Sequence, residues 1–115
     1  MQVKRGEIYL DTNFGAGRGS EQAGRRPCIV VSNDLCNKHS PAITVVPITK
    51  QTKTKIPTHF DMPRSKFSLP DDSIALVEQV RTIDKSRLGA RHMVKLDREQ
   101  LAEINEMIKI QLGVN

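Results

Sequence analysis

The feature that most constrains the fold of this chain is a series of short β-rich segments followed by a single amphipathic helix. The predicted strands are residues 7–11, 28–32, 42–48, 58–62 and 73–77, and residues 79–82 continue after a bend. Pro47 in the third segment favours a strand end, a bulge or an edge position, because proline has no backbone N–H to donate. Strands this short and closely spaced predict a small, strongly curved sheet or barrel.

Only the C-terminus carries a clear helical pattern. Asp97 and Gln100 have the spacing of a capping box, and Gly113 supplies a natural C-terminal stop. The apolar residues between them recur at three- and four-residue intervals, as Leu101, Ile104, Ile108 and Leu112. This stripe must pack on the barrel or on a partner subunit, so the predicted fold class is α+β and mainly β. Single helical turns are predicted at residues 35–39 and 84–88.

A chain of 115 residues is long enough for one modest core, so we expect a single domain over residues 1–115. The first ten residues lack the apolar core of a signal peptide, and no stretch approaches the roughly 20 apolar residues that cross a bilayer. These features predict a cytoplasmic protein that does not contact the membrane. Cys28 and Cys36 form neither a CxxC pair nor a four-ligand set, so we expect free thiols and no metal site.

The formal net charge of +5 is concentrated in the first half of the chain. Residues 1–66 contain eleven Lys or Arg and five Asp or Glu, whereas residues 67–115 contain seven and eight. A concentrated positive field is typical of proteins that bind polyanions, because each neutralised phosphate releases counterions. The same charge could belong to a solvated surface, so charge alone admits a nucleic acid partner without requiring one.

Three segments have the composition of loops, namely residues 12–24, 50–57 and 63–72. The first contains Gly15, Gly17 and Gly19, a pattern that superficially resembles a phosphate-binding loop. Rossmann and P-loop turns open directly into a helix, whereas this loop leads into a predicted strand and lacks a following Gly-Lys-Ser/Thr. A hairpin loop is therefore the better interpretation.

Two groups of polar residues could carry chemistry. Metal-free cleavage of RNA needs one group to take a proton from the 2′-hydroxyl and another to protonate the leaving oxygen, and histidine often serves. The chain has His39, His59 and His92, of which His59 lies beside the basic loop. The second group is Ser20-Glu21-Gln22 followed by Arg25-Arg26-Pro27 before a strand, where paired guanidinium groups are suited to gripping a phosphate.

Several stretches resemble the MazF/PemK family of endoribonuclease toxins, particularly its Bacillus-type branch. The most specific is Gly-Ser-Glu-Gln-x-Gly-x-Arg-Pro at residues 19–27; the others are residues 3–9, 31–34, 48–49, 57–59 and 78–85. The resemblance implies an SH3-like curved β-barrel with a C-terminal helix, like that of MazF, PemK and CcdB. It further implies a two-fold homodimer with RNA lying in a groove across the interface. Residues 12–18 and 62–69 match the family least.

Function also follows from the resemblance as an expectation. It implies a type II toxin, an mRNA interferase that cuts single-stranded mRNA without metal or cofactor, leaving 2′,3′-cyclic phosphate and 5′-hydroxyl ends. The family's catalytic arginine falls on Arg26 and its threonine on Thr49, while Glu21 matches the motif glutamate. Arginine is a poor general base because it almost never deprotonates, so the base is predicted to be Glu21 or His59. The implied partner is a cognate antitoxin with an acidic, disordered tail.

The chain is poor in aromatic residues and has no Trp, so base recognition must use amides and backbone groups more than stacking. The predicted RNA-binding residues are Lys4, Ser20, Gln22, Arg25, Asn33, Lys50, Gln51, Lys53, His59 and Gln79. Two alternatives remain open at this point: a non-catalytic RNA-binding barrel, and a toxin of the same fold that poisons DNA gyrase.

Overall fold

The computed structural model describes residues 2–51 and 54–115, which form an antiparallel sheet and a C-terminal helix. The strands are β1 (Glu7–Asn13), β2 (Arg25–Val30), β3 (Ala42–Lys50), β4 (His59–Met62), β5 (Ser73–Leu76), β6 (Arg81–Asp84) and β7 (Arg91–Lys95). The α-helices are α1 (Asp34–His39), α2 (Arg64–Phe67) and α3 (Arg98–Leu112), and 3-10 turns span Val77–Gln79 and Lys85–Arg87. The predicted curved, mainly β fold with a C-terminal helix is confirmed.

Strand β3 organises the sheet, whose order is β4-β5-β3-β2-β1-β7, with β6 also paired to β3. Along one edge, β3 pairs with β6 up to Val45 and with β5 from Ile48 onward. Pro47 lies where β3 changes partner and is buried in a central strand. We predicted a strand end, a bulge or an edge position for this proline; it lies instead inside a central strand, at the break between two pairing partners.

Both faces of the sheet are covered by apolar residues. One core cluster contains Ile8, Ile29 and Val46 and packs against Ile104 of α3. Their sequence neighbours Tyr9, Val30 and Val45 point to the opposite face and join a second cluster around Phe14 and Ile43. Because successive side chains of a strand alternate between faces, the continuous Cys-Ile-Val-Val run supplies both clusters.

Helix α3 begins and ends where the sequence predicts. Asp97 is the N-cap and forms a complete capping box with Gln100, while Gly113 closes the helix in the left-handed region at φ 68°. Ile104 is fully buried, and Leu101, Met107 and Ile108 pack around the same core. The apolar stripe from Leu101 to Ile108 therefore covers the sheet of its own chain, whereas Leu112 at its end is exposed.

Strand β7 pairs with β1 at the sheet edge and was not predicted. A carboxylate on β1 links the two strands: Arg91 Nη1 lies 3.3 Å from Glu7 Oε2, and the Tyr9 hydroxyl donates to Glu7 Oε1 at 3.0 Å. Burial, and then the neighbouring Glu7 carboxylate, raise the pKa of Tyr9 to about 12. Nearby, Gly89 lies so close to β1 that an added Cβ would be 1.7 Å from the Leu10 carbonyl oxygen.

Candidate active site

Two adjacent strands place Arg26 and Thr49 side by side. Cys28 of β2 faces Pro47 of β3. Because the two strands are antiparallel, Arg26, two positions before Cys28, lies opposite Thr49, two positions after Pro47. Arg26 Nη1 donates a hydrogen bond to Thr49 Oγ1 at 3.1 Å, and Arg26 Nε donates to the Ala23 carbonyl oxygen at 3.0 Å. Both acceptors are neutral, so the guanidinium is held in place while its charge stays available to an anion.

A cleft of about 170 Å³ opens beside this pair and is bounded on its other side by the segment that follows α2. Its lining includes Arg25, Arg26, Thr49, Lys50, Leu69 and Pro70. Two cations border it: Arg25 Nη1 lies 3.8 Å from Asp11 Oδ2, and Lys50 Nζ lies 3.8 Å from Asp71 Oδ1. Exposed ion pairs of this length contribute little, so both cations can exchange their partners for a phosphate.

Gln79 holds the loop segment that precedes Arg26. Its Oε1 accepts from the Gln22 backbone N–H at 2.7 Å, and its Nε2 donates to the Ser20 carbonyl oxygen at 2.9 Å. Gln22 is buried, and its own side-chain oxygen has no hydrogen-bond partner among the described residues. Glu21 is exposed, and its Oε1 accepts from the Arg18 backbone N–H at 2.7 Å. The structure thus brings the predicted residues Ser20, Glu21, Gln22 and Gln79 into one cluster.

A second, larger concavity of about 800 Å³ adjoins this cluster. It is lined by Ala16, Ser20, Glu21, Glu78, Gln79, Val80 and Arg81. Glu78 and Arg81 were not predicted to belong to the site. The guanidinium carbon of Arg81 lies 5.4 Å from the centre of the Phe14 ring, a cation–π contact. Glu78 and Arg81 both lie within the stretch 78–85 that resembles the family, and that resemblance was the only sequence signal for them.

The position of His59 disfavours the contacts predicted for it. Only 5% of its side chain is exposed, and Nε2 lies 2.9 Å from Glu78 Oε2. The Ile56 backbone N–H donates to Nδ1 at 3.3 Å, so Nδ1 is the unprotonated nitrogen and Nε2 carries the proton. With both ring nitrogens engaged and the ring covered, this geometry leaves no atom free to bind RNA or to take a substrate proton.

Besides His59 and Gln22, three other predicted RNA-binding residues lie outside the linings of both concavities. Lys4 is exposed, and Asn33 is the N-cap of α1, where its Oδ1 accepts from the Cys36 backbone N–H at 2.8 Å. Gln51 follows β3 directly and is exposed at the end of the strand that carries Thr49. A fourth, Lys53, lies outside the described residues.

Among the described residues, neither of the two remaining histidines is hydrogen-bonded to Arg26. His92 Nε2 lies 2.7 Å from the Phe67 carbonyl oxygen, and His39 is exposed at the end of α1. Residues 2–51 and 54–115 contain no group of three His, Cys, Asp or Glu side chains placed to hold a metal ion. None of the helices in this part of the chain is long and apolar enough to span a membrane.

Comparison with known proteins connects this arrangement to one family. Residues 4–112 match the family model described as the PemK-like, MazF-like toxin of type II toxin–antitoxin systems. The chain belongs to the PemK/MazF toxin family. Its resemblance to that family, first seen in the Gly-Ser-Glu-Gln-x-Gly-x-Arg-Pro motif, is therefore confirmed over nearly the whole sequence.

Individual PemK/MazF relatives agree with the family match. The protein named Endoribonuclease MazF from Staphylococcus saprophyticus is 41% identical over 114 residues, covering 98% of this chain and 93% of that protein. The crystal structure of Deinococcus radiodurans MazF superposes with a TM-score of 0.81 at 24% identity, covering 99% of both chains. A mycobacterial endoribonuclease in complex with its cognate antitoxin superposes with a TM-score of 0.73 at 23% identity, covering 99% of this chain and 96% of that one. At these identities the two structures support the fold alone.

Proposed function

We propose that this chain is the toxin of a type II toxin–antitoxin pair and acts as a metal-independent endoribonuclease on single-stranded mRNA. The observation that carries the proposal is the contact between Arg26 and Thr49 at the mouth of a cleft bordered by cations. The 41% identity to a protein named Endoribonuclease MazF supports the same activity. The cytoplasm, where mRNA is translated, is the proposed location.

The proposed reaction uses the RNA's own 2′-hydroxyl as the nucleophile. Its oxygen attacks the adjacent phosphorus, the bond to the 5′-oxygen breaks, and the products carry a 2′,3′-cyclic phosphate and a 5′-hydroxyl. Because the nucleophile belongs to the substrate, the protein must supply alignment, stabilisation of charge and proton transfer. No metal ion or cofactor is required by this scheme.

Arg26 and Thr49 divide the stabilisation of charge between them in this proposal. The guanidinium is permanently protonated, and among the described residues no hydrogen bond occupies its Nη2, which can donate to a non-bridging phosphate oxygen. Thr49 Oγ1 accepts from Arg26, so its own proton remains free to donate to a second non-bridging oxygen. Arg26 can also donate a hydrogen bond to the leaving 5′-oxygen as charge develops there, and water supplies the proton that completes the 5′-hydroxyl.

Glu21 is the better of the two candidate bases. It is exposed, and only its Oε1 is engaged, by the Arg18 backbone N–H. The other carboxylate oxygen is free to accept a proton from a 2′-hydroxyl placed between the two concavities. His59, the alternative, is covered and has both nitrogens engaged.

Binding of RNA and binding of the antitoxin use the same charges in this proposal. Arg25 and Lys50 border the cleft and contact phosphates, while Ser20, which lines the larger concavity, presents its hydroxyl to bases. An acidic, disordered antitoxin segment would be attracted to the same cations and would exclude RNA. Addition of an acidic antitoxin peptide should reduce RNA binding, and the reduction should weaken with salt.

We further propose a two-fold homodimer, in which two such clefts contribute to one RNA-binding groove.

The experiment that tests the activity is cleavage of a mixed-sequence RNA in EDTA, followed by mapping of 5′-hydroxyl ends. Arg26→Lys keeps the charge but loses the planar fork of donors, so it should lose most of the cleavage rate and keep RNA affinity. Arg98→Ala, an exposed substitution on α3, is the matched control and should cleave normally.

Three outcomes contradict the proposal. Binding of RNA without cleavage by the wild-type protein would favour a non-catalytic RNA-binding barrel. Inhibition of DNA gyrase without either activity on RNA would favour the gyrase-poisoning alternative. Near-normal cleavage by the Arg26→Lys variant would remove Arg26 from the role assigned to it.

A further inference from the structure

The segment that precedes Arg26 is bounded by two glycines, of which Gly24 is hydrogen-bonded through its backbone to Phe14 and Gly15. Gly19 and Gly24 both adopt positive φ, at 59° and 74°, in the region that other residues rarely occupy. Residues 20–23 lie between these glycines, so their position depends on contacts with the rest of the chain. The contacts to Gln79 tie the Ser20 carbonyl and the Gln22 N–H to a turn more than fifty residues away.

The turn that carries Gln79 is itself firmly anchored. The Val77 backbone N–H donates to the Thr58 carbonyl oxygen at 3.0 Å, and the Val77 side chain is fully buried. Glu78 lies 2.9 Å from His59 on β4. Because Thr58 and His59 hold the 3-10 turn Val77–Gln79 in place, the Gln79 amide can fix the loop from a rigid base.

The same loop segment also orients the proposed catalytic guanidinium. The carbonyl oxygen of Ala23, next to Gln22, accepts from Arg26 Nε at 3.0 Å. A displacement of residues 20–22 would therefore shift one of the two acceptors that direct the guanidinium, the other being Thr49 Oγ1. Strand β2 fixes the Arg26 backbone but does not fix this direction, because several rotatable bonds separate the two.

We propose that Gln79 is a positioning residue that holds Ser20 and Gln22 so that Ala23 orients Arg26 toward the scissile phosphate. This inference rests on the proposed nuclease function and changes one of our predictions, because Gln79 was expected to read a base. Both ends of its amide are already committed within the chain, so it acts on the rate of the reaction rather than on the choice of sequence.

The test compares Gln79→Ala and Gln79→Glu with the matched substitutions of Gln111, an exposed residue near the end of α3. Gln79→Glu keeps an acceptor for the Gln22 N–H but loses the donor to Ser20. Both Gln79 variants should lose about 10- to 100-fold in kcat, as expected for small misplacements of a catalytic group. KM and the preferred cleavage sequence should stay unchanged, and the Gln111 variants should behave as wild type.

A double-mutant cycle separates positioning from an independent role. If Gln79 acts through Arg26, Gln79→Ala should have no further effect on the residual rate of an Arg26→Ala protein. Hydrogen exchange of the Gln22 amide should accelerate in Gln79→Ala, while the melting temperature changes by only a few degrees.

Several results would overturn the inference. They are a change in the preferred cleavage sequence, an increase in KM with kcat unchanged, and a full additional loss of rate when Gln79→Ala is added to Arg26→Ala. A Gln22 amide that exchanges as slowly in Gln79→Ala as in wild type would also overturn it. If the wild-type protein fails to cleave RNA, the proposed function fails instead. The exchange of the Gln22 amide then still reports whether Gln79 holds the loop.

Discussion

Substitution of Thr49 by valine isolates the hydroxyl that contacts Arg26. Valine has nearly the same shape and the same strand preference, so the variant should keep β3 and its pairing intact. It loses the 3.1 Å hydrogen bond from the guanidinium and, in the reaction, the hydroxyl that we propose donates to a charged non-bridging phosphate oxygen. Hydrogen bonds to charged groups contribute about 1.5–3 kcal/mol, and each 1.4 kcal/mol corresponds to a tenfold change in rate. We therefore expect cleavage to slow by about 10- to 150-fold.

The change in stability should be much smaller than the change in rate. Thr49 and Arg26 are only partly buried, so water can replace the lost hydrogen bond and the free energy of unfolding should fall by less than about 1 kcal/mol. Single-turnover cleavage with saturating enzyme gives the rate, and urea unfolding gives the stability.

A matched control is available on the same strand. Thr44 Oγ1 lies 3.2 Å from Thr82 Oγ1, so Thr44→Val removes a hydroxyl from a similar hydrogen bond without touching Arg26. This variant should cleave at the wild-type rate. If Thr49→Val cleaves within threefold of wild type, or if Thr44→Val is equally impaired, the contact with Arg26 has no special part in the reaction.

The fold leads to two further predictions. Gly89→Ala should destabilise the protein by at least about 3 kcal/mol, because its Cβ would meet the Leu10 carbonyl oxygen at 1.7 Å and neither backbone can move freely. Urea unfolding measures this free energy, and a loss below about 1 kcal/mol would contradict the prediction. Iodoacetamide should modify exposed Cys36 in the native protein and spare Cys28 until unfolding, because burial raises the pKa of the Cys28 thiol to about 11. Mass spectrometry of the alkylated protein counts the labels, and equal labelling of both thiols would refute the explanation.

The sequence predicted best those elements whose signals are local. Helix α3 was recognised because its capping box and apolar spacing lie within sixteen residues of one another. Strand β7 was missed because it is an edge strand whose side chains alternate between exposed and half-buried; Met93 is 91% exposed. A strand of this kind gains its stability from backbone pairing with β1, which composition does not reveal. Helix α2, a single turn within the predicted loop 63–72, was missed because four residues are too few to show a helical period.

The site was predictable where residue identity decides chemistry and unpredictable where long-range contacts decide it. The resemblance to the family pointed to Arg26 and Thr49, and the strand register explains why they meet. By contrast, nothing within the sequence shows that His59 is covered by Glu78 or that the Gln79 amide is used to hold a loop near residue 22. These contacts join residues that are 19 and 57 positions apart.

The proposed active site combines a rigid part with an adjustable part. Thr49 and the Arg26 backbone belong to the paired strands at the centre of the sheet, whereas one of the two acceptors that direct the guanidinium belongs to a segment bounded by two glycines. Substitutions in the sheet should therefore reduce activity together with stability, because they disturb the pairing that both require. Substitutions in the loop or at Gln79 should reduce the cleavage rate at nearly constant stability, because they leave the strands unchanged and alter only the direction of one side chain.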